Sequence, residues 1–201
     1  MARSATDCVP PKWRRYRRGV RSRRVPLPVL VGATVLVIAA VAAFVVTRDG
    51  GDDQAAADWP SASKVKATQL TALTAAGDTR LGDLLDGKPL VVNFFARTCQ
   101  PCRKEMPAFQ SVYDDVQDEV GLVGVSEDVT EDDARTMVEQ TGVTFPTYLD
   151  GTLKTLLLFG GNGLPTTVFI AADGRVVDVS LGKLDADDLR DEIEANFGIS
   201  A

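Results

Sequence analysis

Residues 90–107 read Leu90-Val91-Val92-Asn93-Phe94-Phe95-Ala96-Arg97-Thr98-Cys99-Gln100-Pro101-Cys102-Arg103-Lys104-Glu105-Met106-Pro107. The run up to Phe95 is apolar save Asn93, as a short strand covered on both faces should be. A turn with two cysteines three positions apart follows. From Pro101 the pattern changes: Met106, Phe109, Val112, Tyr113 and Val116 recur at spacings of three and four, the stripe of an amphipathic helix. A strand that hands a Cys-x-x-Cys pair to a helix N-terminus is the arrangement of a dithiol/disulfide redox site.

Composition narrows the alternatives. The chain has 201 residues, 3 cysteines, no histidine and a formal net charge of -6. Without an imidazole, Ser-His-Asp and Cys-His catalysis, histidine-ligated zinc and haem attachment through Cys-x-x-Cys-His are excluded. Three cysteines also fall short of a four-thiolate zinc or iron–sulfur site within one chain. The expectation is therefore no metal and no cofactor beyond the cysteine pair itself.

Charge divides the chain. Nine Lys and Arg against the single Asp7 precede residue 27, about +8, which leaves about -14 for the remainder. The acidic remainder argues against nucleic acid as a partner. Residues 27–47 carry no charge and are rich in Val, Ala, Leu and Ile; at about 1.5 Å per residue they make about 31 Å of helix, enough to cross a bilayer core of about 30 Å. The positive-inside rule keeps the Arg-rich end in the cytoplasm and places everything after Arg48 outside it. The predicted organisation is a basic cytoplasmic N-terminus (1–26), a single-pass transmembrane anchor in the cell membrane (27–47), a flexible linker (48–60) and one α/β domain (61–201). A signal peptide cleaved near Ala55-Ala56-Ala57 is the alternative, but the apolar span exceeds the roughly 7 to 15 residues usual for such peptides. Ser22-Arg23-Arg24 loosely matches a twin-arginine signal, with Pro26 where an apolar residue belongs. Every version leaves the domain extracytoplasmic. Cys8 then sits alone on the cytoplasmic side.

Within the domain, strand and helix patterns alternate. The spacing predicts a strand over 65–73, a short helix or turn over 79–85 ending at Asp86-Gly87, the strand 90–95, the helix from Pro101, and a buried strand over 120–125. A helix over 130–141 follows, with Thr130 as its N-cap and Gly142 as its stop. Further helix is expected over 153–159. Two strands, 166–171 and 176–181, flank the hairpin signal Asp173-Gly174, and a last helix spans 185–197. This order implies a mixed sheet with helices on both sides.

The motifs VVNFFARTCQPCRKEMPAF, GVTFP and GLPTTVFIAADGRVV, in this order and spacing, resemble the membrane-tethered, thioredoxin-like thiol-disulfide oxidoreductases of the TlpA, ResA and CcmG (DsbE) group. The resemblance implies a thioredoxin fold, an extracytoplasmic position and, often, reduction of disulfides in apocytochrome c; resting as a dithiol in an oxidising compartment in turn requires electrons from a membrane thiol reductase. Two other readings stand beside it: an oxidase or isomerase of secreted proteins, and a non-catalytic module that binds peptide or handles copper.

Cys99, at the strand's end, should cap the helix, where unpaired N–H groups and the positive end of the dipole favour a thiolate. Cys102, one turn on, is close and better shielded. Cys99 is then the attacking thiol and Cys102 the resolving one. A structural disulfide on one helical turn would close too short a loop to stabilise much, and a metal would need ligands from another chain. Glu105 lies three residues after Cys102. Resemblance to ResA-like members makes it an acid that tunes the thiols and carries a proton; the other reading is a solvated residue paired with Arg103 or Lys104. Asn93 occupies the strand position where thioredoxins often place a buried acid, and cannot titrate. The resemblance also implies a cis Leu164–Pro165 bond, with Leu164, Pro165 and Thr166 forming the substrate-binding strand; a plain strand-start proline is the alternative. The chain departs from the family where Trp-Ala-x-Trp-Cys is usual: Phe95-Ala96-Arg97-Thr98-Cys99 lacks both tryptophans and adds a cation. Arg97 would either favour the Cys99 thiolate or an acidic client, or be an ordinary solvent-facing residue.

Overall fold

A computed structural model of the chain describes residues 59–200. The basic N-terminus, the 27–47 segment, nearly all of the linker and Cys8 lie outside the described residues. Among the described residues, no helix is long and apolar enough to cross a membrane.

The elements in order are α1 (Ala62–Lys66), β1 (Gln69–Ala72), β2 (Thr79–Arg80), α2 (Leu81–Leu85), β3 (Leu90–Phe95), α3 (Gln100–Val116), β4 (Gly121–Ser126), α4 (Glu131–Thr141), β5 (Thr147–Leu149), α5 (Lys154–Leu158), β6 (Thr166–Ile170), β7 (Val176–Leu181) and α6 (Ala186–Phe197). Seven strands form one mixed sheet in the order β2-β1-β5-β4-β3-β6-β7. β3 lies parallel to β4 and antiparallel to β6, so its backbone is paired on both edges. All six of its residues are buried, which is why its sequence is a continuous apolar run and not an alternation.

Period two sorts β3 between two cores. Val91 and Phe95 join Cys102, Met106, Phe109, Met137, Phe145, Phe169, Leu189 and Ile193 on one face. Leu90, Val92 and Phe94 join Val65, Leu81, Leu85, Val125, Leu156 and Phe159 on the other. Asn93 falls in step with Val91 and Phe95, so the one polar residue of the strand points toward α3. Phe94, Phe95, Phe109, Phe145, Phe159 and Phe169 are fully buried, each contributing roughly 1.5–3 kcal/mol of transfer free energy.

The thioredoxin-like mixed sheet with flanking helices is present, with three corrections to the order read from sequence. Thr79 and Arg80, expected in a short helix or turn over 79–85, form β2 paired antiparallel with β1, and only Leu81–Leu85 is helix. The 65–73 strand is in fact α1 followed by β1: Val65 is a buried helical residue, and pairing begins only at Gln69. The alternation that suggested a strand came from one helical turn and a four-residue strand read together. A strand not foreseen, β5, follows Pro146. It is three residues long, too short for a period, and exists because β4 pairs it on one side and β1 on the other. The helix ends follow the sequence signals. Thr130 Oγ1 accepts the Asp133 N–H at 3.2 Å, and Gly142 ends α4 at φ 68°, a left-handed position where a side chain would be strained.

Candidate active site

Cys99 is the N-cap of α3, and its sulfur accepts the Cys102 N–H at 3.1 Å. The two cysteines are joined as a disulfide with Cα atoms 5.3 Å apart. Cys102 is fully buried in the α3-side core, whereas Cys99 is half-buried at its margin. Pro101 stands in the first turn of α3, where no helical partner awaits its missing N–H.

Glu105 is fully buried, with no ion pair to Arg103 or Lys104 among the described residues. Its Oε1 accepts from Asn93 Nδ2 at 2.9 Å, and its Oε2 accepts from the Leu184 N–H at 3.2 Å. Burial pushes its pKa up to about 7; the Asn93 and Leu184 hydrogen bonds and the nearby Lys183 charge draw it back only in part. The Leu184 amide is held in place because Asp185 begins α6 with a reciprocal capping box with Asp188. Asn93 Nδ2 also reaches Thr167 Oγ1 at 3.4 Å, while its Oδ1 is buried without a partner. The titratable group of this strand–helix contact thus sits on the helix, and the strand contributes an amide.

The Leu164–Pro165 peptide is cis. Pro165 is buried directly before β6, and its carbonyl accepts the Gly182 N–H at 3.0 Å. Leu164 packs on the core that holds Cys102 and that Cys99 also touches, and Thr166 is buried opposite Phe94. The proline loop and the cysteine turn therefore lie at the same end of paired strands β3 and β6.

Arg97 is exposed, as the solvent-facing reading expects, but it is not free of partners. Its guanidinium pairs with Asp133 at the start of α4. Its N–H donates to both carboxylate oxygens of Asp128, at 2.9 and 3.1 Å. Asp128 and its neighbour Glu127 were not singled out in the sequence, where their only signal is two acids after an apolar strand. Glu127 is 8% exposed, and among the described residues neither carboxylate oxygen has a hydrogen-bond partner. Burial first, and the Asp150 carboxylate next, push its pKa up to about 8; the Leu153 N–H, which donates to the Asp150 carbonyl at 3.3 Å, offsets this only in part. A cavity of about 770 Å³ between α1, β1 and α5, lined by Lys64, Thr71, Leu149 and Leu157 among others, contains neither cysteine. This cavity is therefore not part of the cysteine site, whose one partly exposed sulfur-bearing residue is Cys99.

Residues 62–179 match the model of the AhpC/TSA family. The thiol-disulfide oxidoreductase ResA of Oceanobacillus iheyensis is 30% identical over 158 residues, covering 77% of this chain and 81% of that protein. ResA of Bacillus thuringiensis is 33% identical over 100 residues, 49% of this chain and 58% of that protein, so the chain spans little more than half the length of this relative. Among solved structures, DsbF of Mycobacterium tuberculosis in mixed oxidised and reduced forms has a TM-score of 0.60 at 27% identity, covering 68% of this chain and 98% of that one. A DsbF homologue from Corynebacterium diphtheriae has a TM-score of 0.58 at 29% identity, covering 65% and 85%.

Proposed function

Because this chain belongs to the AhpC/TSA family and, within it, to the relatives of the ResA thiol-disulfide oxidoreductases, we propose that Cys99 and Cys102 are a catalytic pair that reduces disulfides of client proteins outside the cytoplasm. The observation that carries this is the placement of Cys99: half-exposed at the N-terminus of α3, with an N–H aimed at its sulfur and its partner buried behind it.

In the dithiol state the Cys99 thiolate attacks one sulfur of a client disulfide. A mixed disulfide forms, the client S–S bond breaks, and the departing client sulfur takes a proton. Cys102, deprotonated, then attacks Cys99 Sγ and releases the second client thiolate. Two electrons pass to the client, and the Cys99–Cys102 disulfide remains. Glu105, with a pKa of about 7, is suited to take the Cys102 proton near neutral pH and to return it on re-reduction. The Asn93 amide serves both states: its N–H donates to the carboxylate, and rotated, its oxygen accepts from the carboxylic acid. Leu164, Pro165 and Thr166 would line the client segment by backbone pairing.

The half-exposed Cys99 at the helix start suits attack on a protein disulfide. The apocytochrome c client, the membrane reductase that restores the dithiol and the single-pass anchor over 27–47 are parts of the same proposal. The test is a Cys102→Ser chain, which should hold clients covalently on Cys99. Recovery of apocytochrome c supports the reading. A broad set of secreted proteins, together with a strongly oxidising potential in a redox titration, would replace it with the oxidase reading. Normal complementation by Cys99→Ser would leave only a binding module.

A further inference from the structure

The turn that presents Cys99 is held at several points, from within, from α3 and from the β4–α4 loop, and the strongest is a carboxylate of that loop. Glu127 N–H donates to the Phe95 carbonyl at 2.8 Å, Arg103 Nη2 to the Arg97 carbonyl at 3.3 Å, and Cys99 N–H back to the Ala96 carbonyl at 3.0 Å. Between them, the Arg97 N–H meets both oxygens of Asp128. Asp128 is itself fastened: Ser126 Oγ donates to its Oδ2 at 2.9 Å, and its own N–H donates to Ser126 Oγ at 3.2 Å. Both residues are buried. The ion pair from the Arg97 side chain to Asp133 grips the same residue from outside, but both side chains are 40–45% exposed, so solvent screens it. A buried carboxylate on a backbone N–H is the stronger constraint.

We propose that Asp128 is a positioning residue for Cys99, holding the 96–99 turn so that the first cysteine stays at the start of α3, under the N–H groups that favour its thiolate. This rests on the exchange reading above and deepens it. Asp128 holds the turn by the main chain at Arg97, independently of the exposed side chain at 98, where Thr stands in place of one of the two usual tryptophans. The other charged groups about this end of the sheet include Arg103, Lys104 and Glu105 on α3, Glu127 on the loop, Asp133 on α4, Asp150 directly after β5 and Lys183 before α6.

Position and charge make opposite predictions. A negative charge near Cys99 disfavours a thiolate, so removing it would speed the thiol; loosening the turn would slow it. The reduced full-length chain is treated with iodoacetamide across a pH series, and Cys99 alkylation is read by peptide mass spectrometry, apart from Cys8 and Cys102. Asp128→Ala should slow Cys99 at pH 7 by threefold or more, roughly half a pKa unit in the rate profile. Asp128→Asn keeps an acceptor for the Arg97 N–H without the charge, and should stay within about twofold of the parent. Ser126→Ala, which only unfastens the carboxylate, should slow Cys99 less than Asp128→Ala and in the same direction. Equal effects of the Ala and Asn variants, in either direction, would overturn the proposal. So would a lower melting temperature in Asp128→Ala with an unchanged alkylation profile. Should Asp128→Ala not fold, an unchanged rate in Ser126→Ala overturns it. Alkylation needs no client, so the exchange reading fails separately, when the parent chain reduces no protein disulfide.

Discussion

Glu105 ties stability to pH through a single buried proton. Its pKa of about 7 stands above the ordinary 4.5, so between these values the folded chain keeps a proton that the unfolded chain releases. Stability then falls as pH rises from about 4.5 and levels off past about 7. Integrated from pH 5 to pH 8, the loss from this one group is about 2–3 kcal/mol, and full burial leaves no solvent screening to reduce it. Glu105→Gln removes the titration but not the contacts. Asn93 can turn its amide so that Oδ1, now without a partner, accepts from the new Nε2, while the Gln oxygen takes the Leu184 N–H. The variant should therefore match the parent near pH 5 and exceed it by about 2–3 kcal/mol at pH 8. Glu127, with its pKa raised to about 8, is present in both chains and keeps a further decline in each. Urea unfolding of the oxidised parent and variant at both pH values reads the difference. A gap between them that is the same at pH 5 and pH 8 would refute a raised Glu105 pKa and, with it, a proton role for this residue near neutrality.

Two further outcomes follow from the same packing. Asn93→Ala removes the side-chain donor that holds the Glu105 pKa down, so the acid limb of the exchange-rate profile should move to higher pH, measurable with a protein disulfide substrate. Gly124→Ala would bring a methyl group to 2.9 Å from Phe95 Cε1, 3.1 Å from Thr147 Cγ2 and 3.2 Å from Phe145 Cε2. Overpacking of this kind should cost about 1–3 kcal/mol in denaturant unfolding.

What the sequence by itself determined was local. A six-residue run, apolar save Asn93 and followed by a cysteine turn, read as a buried strand, and Thr130 and Gly142 marked helix ends because caps are made by neighbouring residues. The cysteine pair was legible for the same reason: Cys99 and Cys102 meet across one helical turn and need nothing from the rest of the chain. Tertiary structure decided whatever depends on partners far away in sequence. β5 has three residues and no period, and is a strand only between β1 and β4. Whether Glu105 was solvated or buried could not be read from its helix alone; its environment comes from Asn93, 12 residues before, and Leu184, 79 residues after. Arg97 looked like a free cation beside the thiol because the carboxylates that hold it, Asp128 and Asp133, lie more than thirty positions away. Charge and burial are sums over all neighbours in space, and a linear pattern records only those along the chain.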